Sequence, residues 1–440
     1  MGFVRFGPVR TDGWYGDRPL ELVFPAEWDV EVFSPRTPPA LSDGQLAAAL
    51  ERPTGQPPLR ELARGARRPL VLVDDLTRPT PAASILPHVL RHLADAGVAE
   101  TDVTVLIATG THGPPPPGGP EVKAGPGRFR LLAHDAFGRT ASLGRSSAGT
   151  PILVDPAVAA ADFVVGIGGL YPNHTAGFGG GSKLALGALG ARSILALHTR
   201  HGSLGWGSYA PDSPLRRDLD EIAARIRLRT TISVHVDAAR EIVRIACGDQ
   251  REYLRDEAAF SRSAFTAPAP GDADVVICNA YPGDMWLTFV RMKGMTPLVY
   301  AKPEASRVVV ASVSQGLGYH GLFPYLNAPP RHRERRALMR LRSLRARELP
   351  GFVAARLRRP ASAPAAPRPA QRPAWLFRTG PPGTVPAEIP GMHHVDSWDA
   401  VVEGVRREQA GGGRLRAVVY ECTPIQWIAE PFDGPSWMVG

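Results

Sequence analysis

Several short apolar runs in this chain show no polar alternation, and this constrains its fold more than any other feature. Pro69-Leu-Val-Leu-Val-Asp74 is apolar on both strand faces, the pattern of a strand buried from two sides. Val103–Ala108, Phe163–Ile167 and Asp274–Cys278 repeat it, and Arg307–Ser312, Ala374–Arg378 and Arg414–Tyr420 are further strand candidates. Helical patterns lie between them at Ala82–Ala96, Leu184–His198 and Ser397–Gln409. Strands alternating with helices predict a mainly parallel sheet covered on both faces. Leu20–Phe24 and Asp29–Phe33 read as short strands before a helix at Ser42–Glu51, and Thr231–Asp237 and Ile242–Ala246 as a strand pair.

A chain of 440 residues exceeds one ordinary core. The polar, basic stretch Arg251–Ser263 gives way to Pro268-Ala-Pro-Gly271 before a fresh buried strand, so a domain boundary is predicted there. The expected fold class is α/β: two α/β domains with mainly parallel sheets and an active-site cleft between them. The first is drawn as 1–265, a catalytic domain carrying the cofactor. The second is drawn as 272–440, with an Arg-rich helix and a Pro/Ala-rich insertion at about 331–373.

The net charge of +9 resembles a nucleic-acid signal until it is located. Eleven arginines and two glutamates between Arg331 and Arg359 account for all of it. Leu338, Leu341 and Leu344 beside them fit the solvated face of an amphipathic helix, with RNA or an anionic surface as the alternative. Nucleic acid is therefore not the expected partner. No run of 18 apolar residues exists, so no membrane-spanning helix is expected. The opening residues lack the apolar stretch of a signal peptide, and Phe6 stands where a myristoylation signal needs Ser or Thr. Cys247, Cys278 and Cys422 form no C-x-x-C pair, which predicts ordinary thiols in a reducing, cytoplasmic setting.

The chemistry-bearing residues fall on loops that follow strands, where α/β sheets gather their ligands. Asp75-Leu-Thr-Arg78-Pro-Thr-Pro81 sets an arginine fork on a proline-rich turn beside a carboxylate, suited to binding a carboxylate or phosphate. Thr109-Gly-Thr-His112 places a histidine behind a tight turn; alone, it reads as a base, a ligand or a satisfied loop residue. Gly168-Gly-Leu-Tyr-Pro-Asn-His174-Thr-Ala-Gly-Phe-Gly179-Gly180-Gly181-Ser-Lys183 is a glycine-rich loop before a helix, a potential anion site. Lys183 follows Ser182 and precedes Leu184, so this is not a Walker loop. His198 ends the predicted helix and His201 lies three residues beyond.

Taken together, these segments resemble the lactate racemase family, with its D-x-T-R-P, G-T-H and H-x-A-G-F-x-G-G-x-K motifs and a later histidine. Tyr281-Pro-Gly-Asp284 and Lys293-Gly-Met295 resemble its Y-P-x-D and K-G segments. The likeness runs from about Trp14 to Leu317. It implies a nickel-pincer nucleotide (pyridinium-3-thioamide-5-thiocarboxylic acid mononucleotide nickel) attached covalently at Lys183, with His198 as the nickel ligand. It further implies His112 and His174 as the acid–base pair and Arg78 and Lys293 as substrate-carboxylate binders. Asp75 would support the cofactor or orient Arg78, and Gly179, Gly180 and Gly181 would line the cofactor site.

The implied activity is racemisation or epimerisation of a 2-hydroxyacid by reversible hydride transfer from C2 to the cofactor. The implied partners are the small-molecule 2-hydroxyacid and the cofactor-maturation enzymes. Gly113 stands where an arginine often follows G-T-H, and Trp286 and Phe289 occupy positions expected to be polar. These differences point to a substrate other than lactate. A cofactor-less paralogue that binds an acidic or phosphorylated ligand is the alternative.

Overall fold

The structure, a computed structural model, describes residues 3–202, 204, 210–321, 371–409 and 414–430. The predicted Arg-rich helix and most of the Pro/Ala-rich stretch lie outside the described residues.

Two six-stranded sheets organise the chain. The first runs Ile242–Gly248, Leu228–Val236, Phe163–Gly169, Pro69–Asp74, Thr104–Ala108, Arg130–Ala133 across the sheet. All neighbours are parallel except the first pair, which is antiparallel. Every residue of Pro69–Asp74 and Phe163–Gly169 is buried, as their unbroken apolar runs require. Helices Leu86–Asp95 and Asp43–Glu51 pack on one face, and Ala191–His201 and Pro214–Arg225 on the other. Each fully buried Val or Leu in these strands contributes roughly 1.5–3 kcal/mol over its exposed state. Ser42 caps Asp43–Glu51 in a capping box with Gln45, which satisfies donors the helix cannot pair itself.

The second sheet is parallel throughout: Met392–Val395, Ala374–Arg378, Ser306–Ala311, Val275–Asn279, Leu415–Tyr420, Trp28–Phe33. The strand predicted to help open the first unit is its edge. Trp28 pairs with Leu415 and Phe33 with Tyr420. The hairpin Phe3–Thr11/Arg18–Pro25 packs on the same body, where Phe24 meets Trp28 and Trp398. The segment 3–33 therefore belongs structurally with the C-terminal half, and a single cut near residue 265 does not separate the two sheets. The aromatic residues explain this placement: Trp28 and Phe24 complete a core that Val275, Val308 and Val419 leave open on that face. The chain crosses between units twice, and the two crossing segments meet where Arg36 N–H donates to Ala264 C=O at 2.8 Å.

A further departure concerns Leu184–His198, predicted as one helix. The chain instead forms a 3₁₀ stretch Gly181–Ala188 and a separate α-helix Ala191–His201. The break is built by pairing to a neighbouring strand, since Gly190 N–H donates to Leu153 C=O and Asp155 N–H to Ala188 C=O. Gly187 packs its backbone on Ala108, where a Cβ would approach the carbonyl oxygen to 2.5 Å. Among the described residues, no helix is long and apolar enough to cross a membrane. The three cysteines are buried and unbridged.

Candidate active site

The C-terminal ends of Pro69–Asp74, Thr104–Ala108 and Phe163–Gly169 open onto one cleft with about 940 Å³ of empty space, its mouth included. Phe289, Met292, Lys293 and His320, from segments that follow strands of the second sheet, line the same cleft. Arg78, His112, His174, Gly179, Gly180, Lys183 and His198 all line this space, as does Asp75. Residues separated by more than 200 positions in sequence thus share one cavity.

The turn after Pro69–Asp74 is held by two buried carboxylates. Asp74 Oδ2 accepts from the Thr80 hydroxyl at 2.6 Å and from Gly169 N–H at 2.8 Å. Its Oδ1 lies 2.7 Å from Nζ of Lys123, which is fully buried and also donates to the carbonyls of Thr80 (2.8 Å) and Arg78 (3.1 Å). Lys123 therefore clamps the turn that presents Arg78. Sequence reasoning overlooked it, because a lysine in a short helix between loops resembles a surface residue.

Asp75 takes a different partner from the one anticipated. Its Oδ2 lies 2.6 Å from His112 Nδ1, and Oδ1 accepts from Thr77 N–H (3.1 Å) and Oγ1 (2.5 Å). Burial opposes its charge, but His112, Arg78 and Thr77 outweigh burial and hold the carboxyl down at about 2. Burial lowers the proton affinity of His112 more than Asp75 raises it. A neutral His112 facing an ionised Asp75 must carry its proton on Nδ1, leaving Nε2 as the basic nitrogen.

Arg78 makes no ion pair among the described residues. Its guanidinium sits 5.5 Å from the Tyr171 ring centre, and its buried Nη1 lacks a hydrogen-bond partner. Lys293 Nζ lies 5.0 Å from the same ring. Burial pushes the Lys293 ammonium well below its usual range, with Arg78 and Lys183 adding repulsion. Arg78 and Lys293 thus both stand near the Tyr171 ring, and the unsatisfied Arg78 donor suits an anion.

Burial, then Lys293, His198 and Lys183, depress His174 to about 3, so it is neutral at physiological pH. Lys183 forms no ion pair among the described residues, and burial followed by Arg78 and Arg216 lowers it to about 7. An amine with that affinity is substantially deprotonated near neutrality and therefore nucleophilic. His198 Nδ1 donates to Ile194 C=O at 2.7 Å, one turn back, which assigns the lone pair to Nε2, as in many metal-ligating histidines.

The glycines divide in role. Gly179 and Gly180 border the cleft, whereas Gly181 turns away from it. Gly181 has φ +54°, and a Cβ there would come 2.2 Å from Gln250 Oε1. Arg216, buried beneath, donates to the carbonyls of Gly180 and Phe178. His201 is taken up structurally, 2.8 Å from Asp218. Asp284 of the Y-P-x-D segment is also structural, accepting from the backbone of Asp12, Gly13 and Ser312. Trp286 packs behind the wall against Phe289.

A family comparison matches residues 15–205 to the lactate racemase N-terminal domain. The lactate racemases of Thermoanaerobacterium thermosaccharolyticum and Lactiplantibacillus plantarum are each 26% identical to the chain, over 62% of it and 67% of their own length. The chain is therefore similar to lactate racemases, with residues 15–205 matching their N-terminal domain. The solved apoprotein of the T. thermosaccharolyticum lactate racemase matches 97% of the chain and 100% of its own at a TM-score of 0.66 and 20% identity, a likeness of fold.

Within this lactate racemase fold, one cleft residue escaped the sequence reading. His320 is 8% exposed, lies beyond the last matched motif, and stands with its ring 5.0 Å from that of His112. A single histidine after a glycine-rich turn gives no sequence signal of its own.

The residues present fit the group the family implies. Lys183 is a deprotonatable amine inside the cleft, His198 carries its lone pair on Nε2, and the two border an open space floored by Gly179 and Gly180. Among the described residues, no cluster of three or more His, Cys, Asp or Glu could hold a metal ion by itself. Any metal held here would draw most of its ligands from elsewhere.

Proposed function

We propose that this protein is a nickel-pincer-dependent racemase or epimerase of a 2-hydroxyacid other than lactate. The observation that carries the reading is the convergence of Arg78, His112, His174, Lys183, His198 and Lys293 on one cleft from separate loops of two sheets. Lys183 would hold the cofactor covalently and His198 would ligate its nickel. Bound there, the cofactor supplies an acceptor for the hydrogen that leaves C2 with its electron pair.

The chain's own residues do the remainder. Arg78 and Lys293 bind the substrate carboxylate over Tyr171. Neutral His112, oriented by Asp75, takes the hydroxyl proton of one enantiomer on Nε2. Neutral His174 does the same for the other, and in each direction the proton taken by one histidine passes through solvent to the second, which delivers it to the product hydroxyl. Phe289, Met292 and His320 add apolar and aromatic surface to the cleft lining, which favours a C2 substituent other than the methyl group of lactate. The protein would work in the cytoplasm and receive its cofactor from dedicated maturation enzymes.

The test is to express the chain with those enzymes, measure its intact mass, and supply 2-hydroxyacids deuterated at C2. The expected result is added mass on wild type but not on Lys183→Ala, and inversion with deuterium retained. Wild type at apo mass that still binds 2-hydroxyacids would favour a cofactor-less binder. Deuterium washing into solvent would indicate proton abstraction instead and defeat the proposal.

A further inference from the structure

His112 is gripped from the second sheet as well as from its own. Its ring meets Phe289 edge-on at 4.9 Å and His320 at 5.0 Å, tilted by 53°. Phe289 and His320 in turn lie 6.1 Å apart. Both follow strands of the second sheet, so two of the side chains that fix this imidazole cross the cleft to reach it. Asp75 and, at 3.4 Å, the Thr77 hydroxyl hold its Nδ1 edge from the first sheet.

The segment carrying His320 is docked rather than merely near. Gly321 N–H donates to Thr111 C=O at 2.7 Å, tying it to the turn that holds His112. Tyr319 packs on Gly113, where a Cβ would meet Tyr319 Cδ1 at 3.1 Å and Cβ at 3.2 Å. Gly113 also has φ +82°, which disfavours any other residue. The absence of a side chain at position 113 is thus what lets the Tyr319–His320 segment close over the His112 turn.

We propose that His320 is a positioning residue for His112, delivered from the second sheet through the contact of Gly113 with Tyr319 and of Thr111 with Gly321. Asp75 fixes one edge of the His112 ring but leaves it able to tilt about that hydrogen bond. His320 and Phe289 remove that freedom, so that Nε2 keeps one direction into the cleft. What positions His112 is the ring contact itself, and a ring of similar size preserves that contact. The inference rests on the assignment of His112 as a proton-transfer residue, but the arrangement of the ring can be read without turnover.

The experiment compares wild type, His320→Phe, His320→Ala and Gly113→Ala in two ways. Ring-nitrogen and ring-carbon NMR of His112 in the apo protein reports whether one tautomer and one ring orientation persist. Kinetics of the loaded enzyme report kcat and KM separately. His320→Phe should keep the single His112 signature and kcat within about threefold of wild type. His320→Ala should broaden or average the signature and lower kcat about tenfold or more, with KM changed by less than about threefold. Gly113→Ala lines no part of the cleft wall used in binding and should reproduce the His320→Ala signature, so the reading survives if His320→Ala folds poorly.

An unchanged His112 signature and kcat in His320→Ala would overturn the proposal. So would a His320→Phe enzyme as impaired as His320→Ala, since the imidazole nitrogens would then act directly on substrate. If no variant and not even wild type racemises any 2-hydroxyacid, the functional reading fails, while the NMR series still decides whether His320 positions His112.

Discussion

Asp75 Oδ2 lies 2.6 Å from Nδ1 of His112, the carboxylate buried and the imidazole partly exposed to the cleft. This contact joins two motifs that follow different strands, and it fixes which nitrogen of His112 is basic. Asp75→Asn offers an amide that can present N–H to Nδ1 and so favours the opposite tautomer. The expected outcome is a fall in kcat on the order of 10²–10⁴ in both directions, the range of general acid–base assistance. The fold should be intact by circular dichroism. A kcat within about threefold of wild type would remove the dyad from the mechanism.

Loss of either histidine should stop the full cycle. His112→Ala and His174→Ala are each expected to abolish racemisation starting from either enantiomer, because each direction uses one group to accept the hydroxyl proton and the other to return it. Single-turnover measurements should separate them: each variant should still bind both enantiomers and oxidise only the one whose base remains. Steady-state racemisation in either variant would show that one histidine suffices.

The low proton affinity of Lys183 predicts a pH-dependent penalty. Its folded value of about 7 lies below the unfolded 10.5, so between those limits the unfolded chain binds more protons. Stability therefore rises with pH across that window, and the amine's contribution is lost as pH falls from about 10.5 to about 7. Lys183→Met should raise the Tm of the apo protein at pH 7 and lose that advantage by about pH 10. The same amine should be the fastest-acylated lysine at pH 7, as judged by peptide mass spectrometry after brief exposure to an amine reagent. Ordinary reactivity there would argue against it as the attachment point.

Breaking the Lys123–Asp74 pair should damage both fold and binding. Lys123→Met leaves a buried carboxylate without its counter-charge, a change that typically costs about 3–5 kcal/mol. The Arg78 and Thr80 carbonyls lose their donor as well. Urea denaturation should show the loss, and substrate KM should rise as Arg78 loses its fixed turn. A variant as stable as wild type would mean that the turn is held by Thr80 and Gly169 alone.

The sequence by itself determined the elements and the candidate chemistry. Unbroken apolar runs such as Pro69–Asp74 and Val275–Asn279 can only be satisfied by burial on both faces, and each became a central strand. Arg78, His112, His174 and Lys183 were legible as polar residues in loops after strands, His198 as the end of a helix, and Lys293 through the family resemblance alone. What the one-dimensional pattern lacked was anything set by contact between distant segments. Trp28–Phe33 has the same pattern whichever sheet it joins, and only the opening in the second core decided its place. The helix expected over Leu184–His198 was periodic enough to be continuous, yet strand pairing at Leu153–Asp155 and the backbone contact of Gly187 with Ala108 divided it. The choice of His112 over Arg78 as the partner of Asp75, the burial of Lys123, and the approach of His320 depend on side-chain directions and cross-sheet distances. Local propensity carries no information about those, so only the tertiary structure could decide them.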